Sequence, residues 1–144
     1  RPCVRVLRAD GADTGIAFHG VPGGHEFNSF VVGLYNAAGP GQSIDPALAE
    51  AIAAIDRPLD LQIVVALSCT MCPELVIAAQ KIAASNPLVT AKVYDVNHFP
   101  ELRERYKIMS VPCLIINKAK VAFGKKTLGQ LLELLAEPES GQTG

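Results

Sequence analysis

The chain has 144 residues, 49% of them hydrophobic, and a formal net charge of −1. That is enough apolar material for a real core, and it leaves neither the basic footprint of a nucleic-acid binder nor an uninterrupted apolar stretch long enough to span a bilayer. Four cysteines are too few for a disulfide scaffold in a chain of this size, and no signal-peptide pattern opens the sequence. Reduced thiols and a cytoplasmic setting are therefore expected, with no nucleic acid and no membrane among the partners.

In chain order, Cys3-Val4-Arg5-Val6-Leu7 and Ile16-Ala17-Phe18 read as strands on either side of a Gly11-Ala12-Asp13 turn, and His25 to Asn36 as an amphipathic helix. Asp45-Pro46 opens a connecting helix to about Ile55, with Leu48, Ile52 and Ile55 facing inward. Leu61 to Leu67 is a short, β-branched, continuously apolar run, the pattern of a buried parallel strand. A helix starts at Cys72-Pro73 and runs through Ala84, and Ser85-Asn86-Pro87 ends it. Leu88 to Val96 alternates like a strand, and Phe99 to Lys107 predicts a helix. Ser110 to Asn117 is a strand that opens on a proline, and Asn117-Lys118-Ala119-Lys120 turns it back into Val121-Ala122-Phe123. A last helix is capped by Thr127 and buries Leu128, Leu131, Leu132 and Leu135. Residues 138–144 read as a tail or linker, and the leading Arg1 suggests a domain of something longer.

The chemistry concentrates at Ser68-Cys69-Thr70-Met71-Cys72-Pro73, a Cys-x-x-Cys between an apolar strand and a helix. Only the thiolate attacks a disulfide, so a working dithiol needs something that stabilises negative charge on sulfur, and a helix N-terminus supplies it. Cys69, at the outer edge of the turn, is expected to be the exposed nucleophile that forms a mixed disulfide. Cys72, in the first helical turn, then resolves it by closing the intramolecular bond. Glu74 opposes the thiolate weakly and should point to solvent. A structural zinc site would need two more ligands, but Cys3 and Cys113 are isolated and His19, His25 and His98 lack metal-ligand spacing, so no metal is assigned. A purely structural bridge across so small a loop would remove little unfolded-state entropy.

From Leu59 to Glu137 the order is β-α-β-α-β-β-α, with the dithiol after the first strand and Val111-Pro112 opening the third. This resembles the thioredoxin and glutaredoxin fold. The resemblance implies a cis peptide at Pro112, facing the dithiol, and a Val111 backbone that hydrogen-bonds a bound substrate chain; Thr70 and Met71, between the cysteines, complete the implied substrate-binding set. The strand-strand-helix after Pro2 repeats the ending that follows Pro112. The fold class is thus α/β, one complete thioredoxin-like fold (58–137) preceded by a connecting helix (41–57) and by a partial unit (1–40) corresponding to the second half of such a fold and lacking a dithiol.

Gly23-Gly24-His25-Glu26-Phe27-Asn28-Ser29, the Cys-x-x-Cys, Asn86-Pro87 and Val111-Pro112, in this order, resemble the N-terminal domain of the flavoprotein component of alkyl hydroperoxide reductases. That family carries two fused thioredoxin-like folds, and the first would here lack its opening βαβ part. The resemblance implies relay of electrons from a flavin-side dithiol to the disulfide of a peroxiredoxin partner. FAD and NAD(P)H would belong to the full-length protein or its flavoprotein reductase domain, and no cofactor to this segment.

The resemblance also makes Glu26 a buried acid/base beside the dithiol. The strand from Leu61 to Leu67 has no acid, so a proton acceptor must come from elsewhere, and Phe27, Phe30 and Val31 should give Glu26 an apolar setting that raises its pKa. A carboxylate favoured by the dipole at a helix start is the plainer reading of the same position. Cys113, after the proline, is expected in the core; Cys3, in the matching place after Pro2, in an equivalent packing position. His25 reads as a helix-start residue, and Asp95, Asn97 and His98 as turn and cap residues. Two alternatives stand beside the relay: a free-standing glutaredoxin-like protein disulfide oxidoreductase, and a non-catalytic metal-binding or interaction module.

Overall fold

The computed structural model describes residues 1–38 and 41–137; the expected tail at 138–144 lies outside them. Its elements are β1 (Cys3–Leu7), β2 (Asp13–His19), α1 (Glu26–Ala38), α2 (Pro46–Ala53), β3 (Leu59–Val65), α3 (Cys72–Ser85), β4 (Val89–Asp95), α4 (Pro100–Arg105), β5 (Cys113–Ile116), β6 (Lys120–Phe123) and α5 (Leu128–Ala136). The strands form one six-stranded sheet in the order β1-β2-β4-β3-β5-β6. β3 runs parallel to β4 and antiparallel to β5. The two parts of the chain share this sheet because β2 pairs in parallel with β4, Ile16 opposite Ala91 through His19 opposite Tyr94.

Both faces of the central strands are covered, which is why β3 reads as a continuous apolar run. On one face Leu61, Ile63, Val65, Leu114 and Ile116 pack beneath Leu75, Val76, Ala79 and Ile82 of α3 and Leu131 and Leu135 of α5. On the other, Val64, Cys113, Ile115 and Val121 join Val96 and Ile108 in a smaller cluster that includes Leu102 of α4. The β5–β6 connection is a two-residue turn with Asn117 and Lys118 both at positive φ (51° and 59°), closed by the Ala119 N–H on the Ile116 carbonyl at 3.0 Å. That backbone suits the twist of a hairpin, and Asn tolerates it well. Thr127 caps α5 in a reciprocal box with Gln130.

Among the boundaries that differ from the expectation, two lie beside the dithiol. β3 ends at Val65 instead of Leu67 because the Leu67 carbonyl turns out of the ladder and accepts the His25 N–H at 2.8 Å. β5 begins at Cys113 instead of Ser110; Pro112 has no N–H to give the ladder, and the Val111–Pro112 peptide is cis, as expected. Asn86 does more than stop α3. Its Nδ2 donates to the carbonyls of Ile52 (2.9 Å) and Ile55 (3.1 Å), and its Oδ1 accepts the Leu88 N–H, so the side chain ties the end of α2 to the end of α3.

Candidate active site

Cys72 is the first residue of α3 and is fully buried, with Pro73 behind it in the first turn, where a missing N–H costs nothing. Cys69 lies in the turn before it, its N–H bonded to the Ala66 carbonyl at 3.0 Å and its Sγ 3.9 Å from the Val111 carbonyl oxygen. Both sulfurs are free thiols. The structure therefore brings Cys69, Cys72, Val111 and Pro112 to one place at the carboxyl end of β3. Cys69 is half-buried, less open than expected, because it packs against the Val111 loop. Thr70 and Met71 are exposed on the rim, and Glu74 points to solvent.

Burial pushes the Cys72 thiol well above its ordinary range, and the hydrogen bond with Cys69 and the charges of Cys69 and Glu26 push it further the same way. A hydrogen bond from the backbone around Ala66 opposes them only in part. Cys72 is thus a poor thiolate by itself and needs a base to become a nucleophile.

Glu26 provides a carboxyl with the right properties. It opens α1, is 0% exposed, and its Oε1 accepts a short hydrogen bond from Ser29 Oγ while Oε2 is buried without a partner. Burial raises its pKa from 4.5 to about 7, the Ser29 hydrogen bond opposing part of that shift. A buried orphan oxygen on a group that titrates near neutrality is unusual in a structural carboxylate and suits a proton acceptor.

The surroundings of Glu26 differ in part from those expected. Phe30 is half-buried against the core, but Phe27 is 60% and Val31 44% exposed. The inward face of α1 is instead Glu26, Ser29, Gly33 and Ala37, a narrow seam of small residues against α3. At Gly33 a Cβ would sit 2.5 Å from Gln80 Oε1, so a larger residue there would have to turn the buried Gln80 side chain aside. The apolar setting that raises the Glu26 pKa therefore lies on the inward side of α1, where Phe30 one turn on also packs, and not around Phe27 and Val31.

The approach of α1 to the dithiol is fixed by Gly24. Its φ is +52°, and a Cβ there would lie 2.5 Å from the Leu67 carbonyl oxygen. Only glycine combines that conformation with that contact. The adjacent His25 N–H closes the docking on the same oxygen, while the His25 side chain is exposed, consistent with a helix-start role. Sequence reasoning named the Gly-Gly-His-Glu stretch but missed the roles of Gly24 and Ser29; the three-residue spacing of Glu26 and Ser29 on one helix was the available signal. It also missed Met109, which is 91% exposed two residues before Val111.

Of the other cysteines, Cys113 is fully buried in the smaller cluster, its thiol pushed up to about 12 by burial. Cys3 does not share that environment. It is exposed on β1, its Sγ 4.0 Å from His19 Nε2, because this end of the edge strand has no covering element among the described residues. Asp95 is buried and caps the following turn, accepting the Asn97 N–H on Oδ1. Among the described residues no group of three or more His, Cys, Asp or Glu side chains could hold a metal ion, and no helix is long and apolar enough to cross a membrane.

The chain is similar to known proteins over most of its length. Residues 59–136 match the model of the family described as a thioredoxin domain. The chain is 33% identical over 135 residues to the alkyl hydroperoxide reductase protein AhpF of Pseudomonas aeruginosa, covering 94% of this chain and 25% of that protein. A Bacillus subtilis protein named NADH dehydrogenase is 30% identical, over 85% of this chain and 24% of its own length. The chain thus spans about a quarter of the length of these curated relatives. Among solved structures, the NTD_N/C domain of alkylhydroperoxide reductase AhpF from Enterococcus faecalis superposes with a TM-score of 0.90 at 43% identity, covering 94% of this chain and 65% of that one. A protein disulfide oxidoreductase from Aeropyrum pernix, at a TM-score of 0.80 and 23% identity over 92% of this chain and 57% of its own, shares the fold.

Proposed function

The chain belongs to the thioredoxin-domain family, and from that premise we propose that it is a thiol–disulfide oxidoreductase relaying electrons from a flavin-side dithiol to a peroxiredoxin-like disulfide. The observation that carries the reading is the pairing of a half-buried Cys69, beside the Val111 carbonyl, with a fully buried Cys72 at the start of α3. Cys69 attacks the partner disulfide. One partner sulfur leaves as thiolate, and a mixed disulfide joins Cys69 to the other. Cys72 then gives its proton to Glu26 and attacks Cys69; the bond to the partner breaks, the Cys69–Cys72 disulfide forms, and the partner departs with both electrons. A reduced dithiol on the flavin side reverses the exchange and restores the two thiols.

Val111 stands beside Cys69 and Thr70 and Met71 on its rim, so these three would meet the incoming partner chain, with the buried Pro112 holding the Val111 backbone in place. The similarity to the alkyl hydroperoxide reductase protein AhpF supports the relay over a free-standing oxidoreductase, with FAD and NAD(P)H bound elsewhere in the full-length protein. The cytoplasm, where thiols are kept reduced, is the compartment that suits it.

The test is covalent trapping. Cys72→Ser should hold a stable, reductant-sensitive adduct with a peroxiredoxin-like partner, because nothing resolves it, and Cys69→Ser should hold none. Trapping by Cys69→Ser would reverse the two roles, and reduction of the partner by either variant would remove the dithiol mechanism.

A further inference from the structure

We propose that Ser29 is a positioning residue for the proton transfer, reserving one oxygen of Glu26 for the Cys72 proton by occupying the other. The inference rests on the proton-acceptor reading of Glu26 and extends it to a residue with no chemistry of its own.

Ser29 lies one helical turn after Glu26 on the seam facing α3 and is 0% exposed. Its Oγ is within hydrogen-bond reach of two oxygens of the same residue, the Glu26 carbonyl at 3.0 Å and the closer carboxyl Oε1. A serine has one proton to give. Directed at Oε1, it makes the carboxyl's one hydrogen bond among the described residues and leaves Oε2 buried and unpartnered there. Glu26 sits near enough to Cys72 for its charge to add to the rise of that thiol.

The two carboxyl oxygens therefore have different work. Oε1 accepts from Ser29 in both states of Glu26. Oε2 is empty when Glu26 is ionised and takes the proton when Cys72 becomes a thiolate. As Cys72 sulfur then attacks Cys69, the bond to the partner breaks and the partner leaves as thiolate, with the proton held on Glu26 until solvent or that thiolate takes it. Without the Ser29 donor the ionised carboxyl would have no hydrogen bond in a buried site, and the proton could settle on either oxygen. The acceptor would then be too basic at neutral pH, mostly protonated already, and unable to deprotonate Cys72.

The decisive experiment separates attack from resolution. In a Cys3→Ser background, which removes the exposed thiol, the reduced protein is mixed in stopped flow with a nitrobenzoate aryl disulfide whose thiolate is coloured. Attack by Cys69 releases the first coloured thiolate, and resolution by Cys72 releases the second. Ser29→Ala, which keeps the helix and loses only the hydroxyl, should leave the first phase unchanged. It should move the midpoint of the pH profile of the second phase up by about one unit or more, slowing it about fivefold at pH 7 with recovery at higher pH. Ser29→Thr, which restores a hydroxyl, should bring the midpoint back.

Carbon-13 NMR titration of Glu26 in wild type and Ser29→Ala reads the same shift without turnover. An unchanged or lowered Glu26 midpoint in Ser29→Ala, beside slow resolution in Glu26→Gln, overturns the role of Ser29 alone. Wild-type resolution in Glu26→Gln would remove the proton acceptor and Ser29 with it.

Discussion

The burial of Glu26 makes a prediction about stability that is independent of any redox partner. In the unfolded chain its carboxyl titrates at the ordinary 4.5, and in the folded protein at about 7. Between these values the native state holds a proton the unfolded state has released, so stability must fall as pH rises through the window. The contribution is fully present below 4.5 and lost above about 7. At about 1.4 kcal/mol per pH unit, the displacement corresponds to a loss of about 3 kcal/mol. Glu26→Gln fills the same space without titrating and carries no such slope. Urea unfolding of both proteins in reductant, at intervals from pH 4.5 to pH 8, gives the comparison. Other carboxylates titrate alike in the two proteins and cancel in the difference. The variant should gain about 3 kcal/mol relative to wild type across the window, whatever offset the buried amide introduces at its acid end. Parallel curves would refute the reasoning: Glu26 would then be an ordinary helix-start carboxylate, reachable by solvent.

Two further substitutions test how the first part of the chain is held against the dithiol. Gly24→Ala places a Cβ at a φ of +52° and 2.5 Å from the Leu67 carbonyl oxygen, a backbone atom that cannot swing aside. It should cost about 2 kcal/mol in urea unfolding and slow the resolving step while sparing the attack by Cys69; equal slowing of both phases would count against a specific effect on Glu26. Asn86→Ala removes the side-chain bonds to Ile52, Ile55 and Leu88 and takes the amide donor away from the two carbonyls at the end of α2. A loss of about 2 to 3 kcal/mol with unchanged exchange rates is expected, and a change in the rates would mean that the α2–α3 tie also shapes the site.

What the sequence made legible follows from how local each determinant is. The Cys-x-x-Cys, the proline at the helix start, the Thr127 cap and the alternation of β4 are encoded in neighbouring residues, and all stand where they were expected. Glu26 is buried as expected, but of the residues expected around it only Phe30 packs inward, because Phe27 and Val31 diverge on the helix. Residues one turn apart, Glu26 and Ser29, share the buried face instead. Cys3 shows the same limit from the other side. Its place after a proline mimics that of Cys113, yet Cys113 is buried where α4 and the neighbouring strands enclose it and Cys3 lies exposed on an edge strand. Lys120, buried at the start of β6 and paired with Glu137 at 2.8 Å, gave no local sign that its ammonium would be satisfied by the end of α5.

The division of labour at the site has a physical cause in β3. This strand carries one acid, Asp60, but at the end away from the dithiol, where it accepts from Thr90 Oγ1 and lies 3.5 Å from Lys92. From Leu61 to Val65 the strand is buried on both faces with β4 and β5 at its edges, and a carboxylate there would displace core packing as well as carry its own desolvation cost. Placing the acid on α1 spares the strand's packing, although burial there still raises its pKa to about 7. A helix start exposes backbone N–H groups that tolerate negative charge, and a neighbouring hydroxyl one turn away can hold one oxygen. The arrangement then requires α1 to stay close, which explains why two glycines, Gly24 against Leu67 and Gly33 against Gln80, occur where the chain before α1 and the helix itself meet the dithiol-bearing unit. In the proposed exchange, attack by Cys69 would need only the turn and the start of α3, and resolution by Cys72 the first part of the chain as well. Changes along the Gly24–Gly33 seam should therefore separate the two steps, whereas changes at Val111 should act on the encounter with the partner.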